Sequence, residues 1–191
     1  MNMAMLNLVF TQLVVIVAAF AVTTANRWAS EEEAGRFDLV LAQPEPRRSV
    51  MLTHFAATAL ALTMVTAGIF AGAVMGAAIV GMQLDARRVA QAAIGMVPVG
   101  LVVAAAGYLF SGWLRTRAVT GALIALMLAS FLITLFARLF HWPDALLQLS
   151  IFEHYGAPLV DGLRLPHVAG LLGAAGATLT LATVRFARKD V

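Results

Sequence analysis

The chain has 191 residues, of which 61% are hydrophobic and 12% charged, with a formal charge of +3. An average soluble domain carries roughly 25% charged residues, so this composition excludes a soluble fold with an ordinary polar surface. Cysteine is absent and the only lysine is Lys189, which removes disulfides, thiolate metal sites and any Gly-x-x-x-x-Gly-Lys-Ser/Thr phosphate loop. The arginines sit between apolar runs, a pattern that points to membrane orientation rather than to nucleic acid.

Five apolar runs follow in chain order, at about 5–25, 51–80, 89–110, 118–140 and 166–186. Crossing a hydrocarbon core of roughly 30 Å takes about 20 helical residues, and each run is long enough. The runs are continuous rather than alternating, which favours helices over a barrel. The prediction is an all-α, polytopic membrane helix bundle with about five transmembrane helices, forming one domain over 1–191. The first run has no Lys or Arg ahead of it, so it reads as a membrane helix and not as a secretory leader.

Between the first two runs lies the most informative segment. Ser30 followed by Glu33 forms a capping box, which predicts that a helix starts there. Glu31, Glu32 and Glu33 would face the positive end of that helix's dipole, and Glu32 stands four residues before Arg36, the favourable order for an ion pair. Ala34, Phe37, Val40 and Leu41 gather on one side, and Pro44 and Pro46 stop the helix. The expectation is a short amphipathic helix over 30–43 lying on the membrane surface. Its acidic end suits a protein partner better than anionic lipid.

The second run holds Gly68, Gly72 and Gly76 at four-residue spacing, and Ala169, Gly173 and Ala177 repeat this in the last. Such faces admit a close backbone, and the first expectation is packing between helices of this chain, with a subunit interface as the alternative. Thr58, Thr63 and Thr66 are expected to bond back to their own helix. Pro98 can kink the third run. In the segment 141–165, Pro143 suits a helix start and Gly156 a stop, so a short external helix is expected between them. Its leucines make it interfacial or re-entrant.

Charge counting orients the chain. With 26–49 cytoplasmic, Arg27, Arg36, Arg47, Arg48, Arg115, Arg117, Arg185, Arg188 and Lys189 fall inside. Only Arg87, Arg88 and Arg164 fall outside, with Arg138 near an outer end. The N-terminus is then outside and the C-terminus inside.

The run Glu31-Glu32-Glu33-x-Gly35-Arg36-x-Asp38-Leu39-x-Leu41-Ala42-x-Pro44-x-x-Arg47-Arg48 resembles the cytoplasmic segment of bacterial type-2 ABC exporter permeases, above all multidrug and polyketide-antibiotic exporters. The segment Trp142-Pro143-Asp144-Ala145-Leu146-Leu147-Gln148-Leu149-Ser150-Ile151-Phe152-Glu153-His154 is similar to that family's external segment. Members have six helices per half, and this chain matches from the second onward. The resemblance implies a non-catalytic permease subunit of the bacterial inner membrane, exporting a drug-like, antibiotic or lipid molecule. It implies a separate ATPase subunit that binds ATP, and a second membrane half, either a homodimer copy or a related permease. Glu31, Glu32, Glu33, Gly35, Arg36, Asp38 and Arg47 would couple the chain to that ATPase. No metal, cofactor or nucleic acid is implied.

Two other classes compete. An ion- or proton-coupled transporter or channel would place ionisable groups at mid-span, and no run carries Asp, Glu, Lys or Arg there. A haem-binding electron-transfer subunit would pair histidines at matching depth, whereas His54 lies near one membrane face and His141, His154 and His167 near the other.

Overall fold

The computed structural model describes residues 3–34, 47–140 and 143–187. These form eight helices and no strand among the described residues: α1 Met3–Glu33, α2 Arg47–Val80, α3 Ala86–Ser111, α4 Thr116–Leu139, α5 Asp144–Leu147, α6 Ile151–Tyr155, α7 Pro158–Asp161 and α8 Leu165–Ala187. Five are long and apolar enough to cross a membrane: Leu6–Glu33, Arg48–Val80, Ala86–Ser111, Thr116–Ala137 and Leu165–Phe186. The helical membrane bundle read from the five apolar runs is what the chain forms.

α3 is the central helix. It packs on α1, α2 and α8, and its buried face runs through Ala92, Met96, Val99, Val103 and Tyr108. Asp85 starts it by accepting from the N–H groups of Arg87 (3.0 Å) and Arg88 (3.4 Å), and the helix runs unbroken through Pro98. Close approach to α3 depends on its own glycines. A Cβ at Gly100 would lie 2.7 Å from Leu62 Cδ2, and one at Gly107 would lie 2.4 Å from Ala25 Cβ. Small residues set the spacing of helices where both surfaces are apolar and burial alone gives no direction.

The glycines singled out by spacing behave differently. A Cβ added at Gly68, Gly72 or Gly76 meets nothing within 4 Å, and the same holds for Gly173. The reading of the α2 glycine face as packing within this chain is therefore corrected. That face of α2 turns outward, and no helix among the described residues fills it. Thr58, Thr63 and Thr66 do bond to carbonyls of their own helix, those of His54 (3.1 Å), Ala59 (2.8 Å) and Thr63 (3.0 Å).

Two boundaries also differ from expectation. No helix starts at Ser30: it lies within α1, and its carbonyl accepts from Ala34 N–H at 3.0 Å, the bond that closes the last turn of that helix. Three glutamates are good helix formers, and Trp28 and Ala29 are buried just before them, so packing carries α1 past the capping signal. The rest of the expected surface helix, 35–43, lies outside the described residues. Between Pro143 and Gly156 the single external helix is instead two short ones, α5 and α6, the second stopped at Gly156 as expected, and α7 follows beyond it. Ser150 causes the first break. It is fully buried, its hydroxyl donates to the Ser130 carbonyl (2.8 Å) and contacts the Thr134 hydroxyl (2.6 Å), and it caps α6 by accepting from Glu153 N–H (3.3 Å). A residue held this firmly by α4 cannot continue a helix from α5.

At 1.5 Å per residue, the 31 residues of α1 span about 46 Å and the 34 of α2 about 51 Å. Both exceed a hydrocarbon core of roughly 30 Å. α1 runs on to Glu33, past the end of its apolar stretch, and α2 begins at Arg47, ahead of its own. Most of the excess of α1 therefore lies toward the segment that joins it to α2, whereas only the first turn of α2 precedes its apolar run.

Candidate functional site

The last two turns of α1 gather contacts from four other parts of the bundle. Trp28 is fully buried, with its ring 5.0 Å from Tyr108 of α3 in a stacked pair. His54 of α2 meets the same indole edge-on at 5.0 Å, and Phe186 of α8 does so at 5.5 Å. Phe55 stands edge-on to Tyr108 at 5.8 Å, and the Tyr108 hydroxyl shares a hydrogen bond with Thr58 at 3.2 Å. Aromatic pairs of this geometry are worth about 0.5–1.5 kcal/mol each beyond the area they bury. One indole thus ties α1 to α2, α3 and α8.

The carboxylates beyond Trp28 extend these ties. Glu31 lies 3.9 Å from His54 Nε2 on α2. Glu33 accepts from the backbone N–H (3.0 Å) and the hydroxyl of Thr116, at the first turn of α4. Arg115, the N-cap of α4, gives no side-chain cap of its own, so a side chain from α1 performs that task across the bundle. Two turns earlier Asn26 accepts from the Thr120 hydroxyl at 2.7 Å, which makes a second polar link between α1 and α4. Glu32 is half-buried in the wall of a cleft of about 250 Å³, together with Ala29, Glu33, Ser111, Trp113 and Arg115.

Of the residues expected to couple the chain to a partner, the structure therefore brings Glu31, Glu32 and Glu33 together at the end of α1. Arg47 opens α2. Gly35, Arg36 and Asp38 lie outside the described residues. Trp28, Tyr108, Phe186 and Thr116 were not legible as parts of this site. The available signal was their common depth, because the C-terminal ends of α1, α3 and α8 and the N-terminal ends of α2 and α4 all lie at one end of the bundle. Aromatics at such a level read most simply as a lipid-facing belt. Here three of them point inward.

The opposite end is organised by hydrogen bonds. Arg88 donates from Nη1 to the carbonyls of Leu159 and Val160, both at 2.9 Å, and holds α7 against α3. The Tyr155 hydroxyl donates to Ala92 O at 3.2 Å. The His154 and His167 rings are 5.5 Å apart, and His154 Nδ1 lies 2.8 Å from Ser150 O. No group of three or more His, Cys, Asp or Glu able to hold a metal occurs among the described residues.

Two apolar grooves open on the sides of the bundle. One, of about 430 Å³, runs between α1 and α4 past Val15, Val22, Met127 and Phe131, with Gln12 as its polar side chain. The other, of about 460 Å³, lies among α2, α3 and α8 beside Thr66, Phe70, Pro98 and Leu172.

The model of the family described as "Multidrug efflux system permease Rv1217c, C-terminal domain" matches residues 1–187. No curated protein matches the chain.

Proposed function

Because the chain belongs to the family of the C-terminal domain of the multidrug efflux system permease Rv1217c, a multi-pass transporter permease, we propose that it is the membrane subunit of an ATP-driven exporter. It carries no catalysis and no cofactor itself. ATP is bound and hydrolysed on a separate nucleotide-binding subunit, which docks on the segment joining α1 to α2. The chain sits in the bacterial inner membrane, with that segment and the C-terminus inside and the N-terminus outside.

The observation that carries this reading is the wiring of the acidic end of α1. Glu31 reaches α2, Glu33 reaches α4, and Trp28 reaches α2, α3 and α8. A force applied at that end is passed directly to every long helix. α1 is one unbroken helix, so it transmits the force as a lever rather than absorbing it in a hinge. The two lateral grooves fall in the size range of small-molecule sites and are almost wholly apolar, which suits drug-like, antibiotic or lipid molecules arriving from the bilayer. Mid-span positions free of Asp, Glu, Lys and Arg weigh against an ion-coupled mechanism. A paired ATPase needs two docking segments, so the working unit contains a second membrane half, either another copy or a related permease.

Solubilised in mild detergent from cells that also express the cognate nucleotide-binding subunit, the chain should bring that ATPase down with it. Recovery of the permease alone, from membranes that still export, would overturn the proposal.

Orientation has its own test. The chain has no cysteine, so Ala34→Cys and Gln83→Cys, both at exposed positions, can be labelled against a clean background. A membrane-impermeant maleimide added to whole cells should label Gln83→Cys and leave Ala34→Cys unlabelled until the cells are opened. The reverse pattern would invert the topology and remove the docking segment from the cytoplasm.

A further inference from the structure

At the end of the bundle that carries Trp28, a second set of residues faces outward beside the cleft that Glu32 and Glu33 line. Trp113 follows the last turn of α3, its N–H bonded to Phe110 O at 3.0 Å, and its indole is 59% exposed. Leu114 beside it is 39% exposed. The Arg185 guanidinium of α8 lies over the Trp113 ring, 5.7 Å from its centroid. Gly112 makes room for this arrangement, since a Cβ there would stand 3.1 Å from Arg185 Cγ. Arg115 lines the same cleft as Trp113, and Arg117 follows one residue into α4.

Arg115, Arg117 and Arg185 are all exposed, and none forms an ion pair among the described residues. The carboxylates nearby are Glu32 and Glu33, which line the same cleft as Arg115. Glu33 is engaged by the two donors of Thr116 and lies close enough to Arg115 and Arg117 to feel their charge, which leaves two to three positive charges against it at this edge. At the opposite end Arg87 is likewise exposed and outside the ion pairs among the described residues, but Arg88 and Arg164 are engaged. Arg88 is spent on two carbonyls and on Asp85, and Arg164 on Asp161.

An exposed indole next to an exposed leucine, at the end of membrane-spanning helices, belongs at headgroup depth. Guanidinium groups there match a phosphate in shape and charge, and can hold it through paired N–H donors. Basic clusters of this kind between helix ends attract anionic lipid. We propose that Arg115 and Arg185, with Trp113 between them and Arg117 adding charge, form a binding site for the phosphate headgroup of an anionic phospholipid. The site does not depend on whether the chain exports anything. An occupant here would bridge the α3–α4 turn and the end of α8.

The test is native mass spectrometry of the full chain in detergent, with equimolar phosphatidylglycerol and phosphatidylcholine. The wild-type chain should retain phosphatidylglycerol over phosphatidylcholine on the order of tenfold. R115Q/R185Q should bring the two lipids to parity, and R87Q, at the other end, should leave the preference unchanged. R115K/R185K keeps the charge but not the paired donors, and should fall between, which separates lost charge from a lost fold. Inorganic phosphate at the lipid's concentration should not displace the lipid. Parity in the wild-type chain, an undiminished preference in R115Q/R185Q, or displacement by inorganic phosphate would each overturn the site.

Discussion

Gly107→Ala is expected to destabilise the bundle by about 1–3 kcal/mol, whereas the same change at Gly72 should stabilise the protomer by up to about 1 kcal/mol. The chemical change is identical, and only the surroundings differ. A methyl group at Gly107 would stand 2.4 Å from Ala25 Cβ and 3.0 Å from Leu123 Cδ1. Leu123 can rotate, but Ala25 has no rotor and is completely buried. The strain can be relieved only by moving α1 away from α3. That movement would also loosen Trp28, three residues beyond Ala25, from its stack on Tyr108. At Gly72 a methyl group meets nothing within 4 Å, so only the gain in helix propensity remains. Thermal unfolding of the two variants in the same detergent decides the matter, and equal shifts in Tm would refute the packing assigned to α3. If the glycine face of α2 meets a second membrane half, Gly72→Ala lowers the oligomer fraction while the protomer's own Tm holds.

The contrast between these glycines shows what the residues make legible and what they do not. A span announces itself because an apolar run of 20 or more residues has few other uses, so five helices could be read directly. Which face of a span packs inward is another matter. Each long helix is apolar nearly all round, so no polar stripe marks its outside. The four-residue glycine spacing then stands out by eye, yet it marks an outward face of α2. The contacts that set the bundle come from Gly95, Gly100 and Gly107 of α3, whose separations of five and seven residues resemble no packing motif. Their partners, Tyr155, Leu62 and Ala25, come from three different helices, and no local pattern could name them. The same limit applied at the end of α1. Ser30 and Glu33 satisfied a local rule for starting a helix, but burial of Trp28 continued the helix already under way. The acidic cluster itself was legible, because three adjacent glutamates in so uncharged a chain need an explanation. Its internal partners, His54 and Thr116, were not.

Those internal partners sharpen the expected outcome of charge reversal. E32K/E33K should reduce recovery of the nucleotide-binding subunit by about tenfold or more and abolish export, while the chain still inserts, because both positions lie beyond the apolar run 5–25 that drives insertion of α1. The reversal acts in two ways, however. It removes the acidic surface offered to a partner, and it replaces the acceptor that caps α4 with a cation beside Arg115 and Arg117. Thr116→Val separates the two. Valine keeps the backbone N–H that donates to Glu33 but lacks the hydroxyl, so the tie from α1 to α4 is weakened and the acidic surface is unchanged. Export by T116V should therefore fall while ATPase recovery stays normal. E32Q/E33Q is the complementary case, since glutamine still offers an oxygen to Thr116 but no charge to a partner. Its ATPase recovery should fall with α4 still capped. Normal recovery in E32K/E33K would remove the glutamates from the docking surface. Loss of recovery in T116V would mean that the cap shapes the docking surface itself, and that binding and transmission at the end of α1 cannot be assigned to separate residues.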